Sequence, residues 1–155
     1  MEQQDFSEAI NTIDDGWVRA NGLRFTRATL DEVTAELTVR PEHLQAYGLV
    51  HGGVHASIVE TVASVGAAIN VMPHGLSAVG LDNHTSFLHA VRGGVLRAVG
   101  RPLTRGRRSQ LWEVTISDDT GRVAATGRVR LLVLDNAAQV AGGGLTVSGL
   151  DKPGP

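Results

Sequence analysis

Hydrophobic and polar residues alternate along most of this chain, and one long stretch breaks the alternation. Val33, Ala35, Leu37 and Val39 interleave with Thr34, Glu36, Thr38 and Arg40, the period-two pattern of a half-buried strand. Residues 23–30 are expected to pair with it across Asp31-Glu32. After Pro41 the period changes. Val54, Ile58, Val62, Val65, Ile69 and Met72 recur at three- and four-residue steps, one face of an α-helix. Gly52-Gly53 precede that helix, and Pro73 and Gly75 close it. Strands then return over residues 79–89 and, after Arg92-Gly93-Gly94, over residues 95–103. Trp112, Val114 and Ile116 alternate with Glu113, Thr115 and Ser117, and a turn at Asp118-Asp119-Thr120-Gly121 leads into a last strand through Val133. Near the start, residues 5–14 predict a short amphipathic helix, with Phe6, Ile10 and Ile13 on one side and Gly16 as its stop.

The predicted order is two strands, one long apolar helix, then four strands joined by short turns, which implies antiparallel neighbours. One helix cannot cover both faces of a six-stranded sheet. A curved sheet wrapped around that helix, an α+β arrangement, is the economical solution. The length of 155 residues fits one domain, read as residues 1–136, followed by a flexible Gly/Pro-rich tail over 137–155. A membrane span over 54–72 is disfavoured, because the stretch carries Glu60, His55, Ser57, Thr61, Ser64 and Asn70.

Composition removes several chemistries. With no cysteine there is no disulfide scaffold, thiolate metal site or cysteine nucleophile. The opening Met1-Glu2-Gln3-Gln4-Asp5 lacks a basic segment leading into an apolar one, so no secretory signal is expected and a cytoplasmic location is. A net charge of −2 suggests no polyanionic partner. Thirteen of the 14 basic residues are Arg, a bias that suits phosphate binding but that a GC-rich coding sequence also produces. Six of them, Arg92, Arg97, Arg101, Arg105, Arg107 and Arg108, fall where no Asp or Glu occurs between Asp82 and Glu113. Nucleic-acid binding through that stretch is disfavoured by the overall charge and by the lack of a recognisable motif.

From His43 to Leu81 the one formal charge is Glu60, in the middle of the most apolar helix. Ionised carboxylates are costly to bury and collect at working sites. The structural alternative is that Glu60 reaches a rim or pairs with an Arg from a strand. Gly53, Ser57, Glu60, Ser64 and Ala67 form a small, partly polar stripe that leaves room beside the carboxylate. Gly52-Gly53 sits at the helix start, where the first N–H groups lack internal partners and the dipole is positive. A carbonyl oxygen or phosphate can approach such an end. His51 and His55 stand four apart like a metal pair, but Glu60 is five further on and points elsewhere on the helical wheel, so no metal site is expected.

The run Gln45-Ala46-Tyr47-Gly48-Leu49-Val50-His51-Gly52-Gly53-Val54, with Glu60 seven residues after Gly53 and Ser64 a turn later, resembles the hotdog-fold acyl-CoA thioesterases. It looks most like their 4-hydroxybenzoyl-CoA and phenylacetate-pathway branch. Leu81-Asp82-Asn83-His84, Arg92-Gly93, Gly106-Arg107-Arg108-Ser109 and Gly121-Arg122-Val123-Ala124 extend the likeness over residues 35–135. The resemblance implies a hotdog fold, a homodimer at least and a homotetramer by expectation, acyl-CoA as substrate and no cofactor. It implies Glu60 as catalytic carboxylate, either nucleophile or general base. It makes Gly52 the amide that polarises the thioester carbonyl, Gln45 an assisting side chain and Ser64 a residue that positions water. It places His51, Gly53, Asn83, His84, Arg107, Arg108 and Ser109 in substrate binding. Glu60 lies eight residues past Gly52, roughly 12 Å along one helix, so the expected site joins Gly52 of one subunit to Glu60 of its mate. A hotdog hydratase would carry a His where this chain has Val65. A non-catalytic acyl-CoA-binding protein of the same fold is the remaining alternative.

Overall fold

A computed structural model of the chain describes residues 3–13, 16–145 and 147. Six strands form one antiparallel sheet: β1 (Leu23–Ala28), β2 (Val33–Thr38), β3 (Leu76–Phe87), β4 (Val95–Arg105), β5 (Ser109–Ser117) and β6 (Val123–Asp135). One long helix, Gly52–Val71, packs against the inner face of the sheet. Numbered in chain order it is α3, after α1 (Ser7–Asn11) and α2 (Gly16–Asn21). The α+β layering expected from the pattern is therefore present, in the strand–helix–strand order read from the sequence.

The alternating residues explain which face is inside. Ala35 and Leu37 of β2, Trp112, Val114 and Ile116 of β5, and Val129 and Leu131 of β6 are all buried against the helix. In β1 the alternation breaks after Phe25, where a bulge shifts the register and returns Ala28 to the core. Trp112 is the largest fully buried side chain. Its six-membered ring lies against Gly66 of α3, where a methyl group would collide with it. Truncating Trp112 to alanine would cost about 3–5 kcal/mol, because the helix cannot close the hole while the sheet holds it in place.

Three details differ from the sequence pattern. First, β3 does not pair with β4. The strand order is β1-β2-β4-β5-β6-β3, so β3 leaves α3 for the far edge beside β6. Residues 88–94 then cross back to β4, pinned by buried Val91, whose carbonyl accepts from the Val50 N–H at 2.8 Å. A short link had suggested neighbouring strands; a curved sheet lets seven residues span the gap across one end of the helix. Second, Gly16 opens α2 instead of merely stopping a helix, and α1 is only five residues long within the expected 5–14, of which Asp14 lies outside the described residues. Third, the helix face in the core is His55, Ile58, Val59, Val62, Ala63, Gly66, Ala67 and Val71. Val65, Ile69 and Met72 of the predicted stripe turn out of the sheet toward α1. Because α3 is apolar nearly all round, its sequence cannot say which face meets the sheet. Gly52–His74 has the length and composition of a membrane span, but eight α3 residues are buried inside this fold.

Within the stretch read as a tail, Gln139–Val140 (β7) pairs with Gly143–Gly144 (β8). Thr146 and residues 148–155 lie outside the described residues.

Candidate active site

Glu60 leaves the middle of α3 on the side that faces β3, and it is half-buried. Asn83 of β3 donates from Nδ2 to Glu60 Oε2 at 3.0 Å and to the Ala56 carbonyl at 3.0 Å. The Thr85 hydroxyl donates to Asn83 Oδ1 at 2.7 Å, which fixes the amide with its NH2 toward the carboxylate. One turn along the helix, Ser64 Oγ donates to Glu60 Oε1 at 3.4 Å. The carboxylate lies over Gly80 of β3, where a Cβ would overlap Oε1. Among the described residues, no cation pairs with Glu60. The carboxylate is thus held by neutral donors on both oxygens, an arrangement that fixes its position without neutralising its charge.

Arginine pairs its charges elsewhere, much of it on the exposed face of the sheet. Arg97 meets Glu36 at 3.0 Å, Arg128 meets Glu113 at 2.8 Å, and Arg101 meets Glu32. For Arg97, Arg101 and Arg105 of the carboxylate-free interval, the acidic partners are Glu36 of β2 and Glu32 and Asp31 of the turn before it.

The start of α3 is the second half of the arrangement. His51 caps it, accepting the Gly53 N–H on Nδ1 at 2.8 Å. The Val54 N–H bonds the His51 carbonyl at 2.9 Å. The Gly52 N–H has no acceptor among the described residues, so the positive helix end leaves one free donor at Gly52. The Phe87 ring stacks on Gly52, within 2.7 Å of where a Cβ would stand, and faces the buried His55 ring at 6.1 Å between centroids. Burial holds the His55 imidazole below the usual histidine range.

The preceding turn is built around Gln45. Its N–H bonds the Leu49 carbonyl at 2.8 Å, its Oε1 accepts the Tyr47 N–H, and its side-chain NH2 is left as the available donor. Gly48 takes a φ of 71° to close the turn, and Arg92 ties it down from outside through the Tyr47 carbonyl at 3.0 Å.

Some residues singled out in the sequence converge and others do not. Glu60, Ser64 and Asn83 meet around one carboxylate. Gly52, Gly53, His51 and Gln45 form the helix entrance, eight residues away along α3. Gly53 has its amide engaged by His51, and His51 itself is the cap. His84 pairs with Arg128 across β3 and β6 and lies on the outer face of the sheet, opposite Asn83, in a polar hollow of about 290 Å³. Arg107 and Arg108 sit in the β4–β5 turn, closed by the Gly106 N–H to the Ser109 carbonyl at 2.9 Å, with no carboxylate partner among the described residues. No group of three or more His, Cys, Asp or Glu side chains with metal-holding geometry occurs among the described residues.

Sequence reasoning passed over Gly80 and Thr85. Neither carries a signal of its own in one sequence: Gly80 matters because a carboxylate from another element lies on it, and Thr85 because it orients Asn83. It also missed that the N-terminal helices wall a cavity of about 570 Å³ whose lining includes Glu60 and Ser64.

Comparison with known proteins adds the following. The thioesterase superfamily model matches residues 47–125. The Rv1847 protein of Mycobacterium tuberculosis is 47% identical over 116 residues, covering 74% of this chain and 83% of that one. Its solved structure superposes with a TM-score of 0.77 over 80% of this chain and 100% of that chain. The proofreading thioesterase EntH of Cronobacter turicensis is 35% identical over 128 residues, covering 82% of this chain and 93% of that one. The PaaI protein of E. coli, from the phenylacetic acid degradation operon, shares the fold at 20% identity, with a TM-score of 0.73 over 81% of this chain and 88% of that one.

Proposed function

The chain belongs to the thioesterase superfamily, and from that membership we propose that it hydrolyses an acyl-CoA thioester to a carboxylic acid and free CoA. The observation that carries the reading is the Glu60 carboxylate, held by Asn83 and Ser64 at the wall of an apolar cavity with no cation against it among the described residues.

In this reading the thioester carbonyl accepts the free Gly52 N–H at the positive end of α3, and the Gln45 side-chain amide assists. Negative charge develops on that oxygen as the carbonyl carbon is attacked, and a fixed donor favours it more than it favours the ground state. Glu60 acts in one of two ways. As general base it takes a proton from water, the water oxygen bonds to the carbonyl carbon, and collapse expels the CoA thiolate, which is reprotonated. As nucleophile its own oxygen forms the bond, CoA leaves, and water cleaves the resulting mixed anhydride. In the first case Ser64 and Asn83 orient the base; in the second they stabilise it as leaving group. Only water and substrate are consumed, so the reaction needs no cofactor. Arg107 and Arg108 on the β4–β5 turn, with Ser109 at the start of β5, are candidates for the CoA phosphates, since both guanidinium groups lack carboxylate partners among the described residues.

Gly52 and Glu60 are separated by roughly 12 Å of continuous helix, too far for one carbonyl carbon to meet both. A two-fold pair of chains removes the conflict by joining Gly52 of one copy to Glu60 of the other. The twelve-residue β3 supports this: it is an unpaired sheet edge, with Leu81 56% exposed within it and Phe87 and Leu88 60% exposed at its end. Long exposed edges of this kind favour pairing with another chain.

The test is thiol release from acyl-CoA with the Glu60→Ala variant. Turnover should fall to near background while urea unfolding still reports a folded protein. Turnover at the level of the unaltered chain would remove Glu60 from the mechanism.

A further inference from the structure

We infer that the acyl group this site accepts is an unsubstituted aliphatic chain of medium to long length, lodged in the cavity between α3 and the N-terminal helices; this rests on the thioesterase reading above. The cavity begins at Glu60 and runs along the outward face of α3, where Val65, Ala68 and Ile69 form its floor. Phe6 and Ile10 of the N-terminal segment flank it, and Met72 with Pro73 lie at its far end. The segment carrying Phe6 is fixed to the sheet: the Phe6 N–H bonds the Ala28 carbonyl at 2.8 Å, and Asn11 binds both the N–H and the carbonyl of Phe25. The wall is therefore part of the fold.

Two features of the cavity select the acyl group. The first is size. At about 570 Å³ it is nearly four times the roughly 150 Å³ that accommodates benzene in a dry apolar cavity. A single aromatic ring would leave most of it empty, whereas a flexible chain can fill it. The second is polarity. Among the described residues, the polar side chains in the lining are Glu60, Thr61 and Ser64, all at the reacting end. Thr61 already donates to the Ser57 carbonyl at 2.8 Å, and Ser64 donates to Glu60. A ring hydroxyl carried along the rest of the cavity meets no polar side chain among the described residues that line it.

Each added methylene is worth about 0.8 kcal/mol of transfer when fully buried, close to a fourfold gain in kcat/KM. With saturated acyl-CoAs from acetyl upward, kcat/KM should rise by up to about fourfold per methylene and then level off when the cavity is full. Benzoyl-CoA should fall below the plateau, and 4-hydroxybenzoyl-CoA lower again, by up to about 100-fold. Ala68→Trp, which places bulk on the floor, should move the maximum toward shorter chains. Calorimetric titration of the Glu60→Gln protein with dodecanoate and with 4-hydroxybenzoate separates this inference from the activity. A flat chain-length profile, or preference for either aryl thioester over the aliphatic plateau, would overturn it. If no acyl-CoA is cleaved but dodecanoate binds and Ala68→Trp abolishes that binding, the pocket assignment stands and the hydrolytic reading falls. If neither turnover nor dodecanoate binding is found, both fall.

Discussion

Replacing Gly52 with proline removes one hydrogen-bond donor while leaving the helix able to form. Gly52 is the first residue of α3, a position where proline fits because its missing N–H has no intrahelical role. The residue before a proline must be extended, and His51 already sits at φ −64° and ψ 135°. The His51 cap accepts from Gly53, so it survives the change. The new ring would press on the far end of the Phe87 side chain, which a small rotation relieves. Fold stability should therefore move by no more than about 1 kcal/mol in either direction. If the Gly52 N–H is the donor that meets the developing oxyanion, its loss should lower kcat by about 10²–10³, or about 2.7–4 kcal/mol of transition-state stabilisation. Gly52→Ala is the control, because it brings the same contact with Phe87 and keeps the N–H. The assay is thiol release at saturating acyl-CoA, with urea unfolding of both variants alongside. A Gly52→Pro protein that is folded and turns over as fast as Gly52→Ala would show that this amide takes no part.

Four further outcomes follow from the same geometry. Mixing unfolded Gly52→Pro and Glu60→Ala chains and refolding them together should recover about a quarter of the unaltered activity, since half the pairs are hybrids with one intact site each; no recovery in verified hybrids would place both groups in one chain's site. Gly80→Ala should displace the Glu60 carboxylate and lower kcat by about 10²-fold with the fold retained; unchanged kcat would mean that the carboxylate position is not critical. Asn83→Ala should act in the same direction through loss of its bond to Oε2, and Thr85→Val more weakly through loss of the hydroxyl that orients Asn83, as read from kcat of purified variants. His55 and His43 are both held below the ordinary histidine value of 6.5 by burial, His43 additionally by Arg40. Below about pH 6.5 the unfolded chain then binds more protons than the folded one, so their contribution to stability is complete above that pH and is lost as pH falls toward and through the lowered folded values. Urea titrations from pH 8 to 5 should show this acid limb, and His55→Phe should make it shallower.

The alternation of β2, β5 and β6, the 3.6-residue period of α3 and the turn residues between strands were sufficient to place the six strands and the central helix within a few residues. Each of those signals is local: an alternating strand must bury one face, and a helix this apolar must be enclosed. Glu60 was legible for the same reason, as the one formal charge between His43 and Leu81, in the middle of the most apolar helix. Tertiary structure decided what depends on contacts distant in sequence. Pairing of β3 with β6 is a property of the closed sheet, and it is this pairing that carries Asn83, Thr85 and Gly80 to the carboxylate on α3. The rotation of α3 was equally hidden, because a helix apolar on most sides fits the sheet in several orientations; the packing of Gly66 on Trp112 selects one and turns Val65 and Ile69 out to line a cavity. Residue types set which groups could be buried and which could react, but which of them meet was fixed only when the sheet curved around the helix.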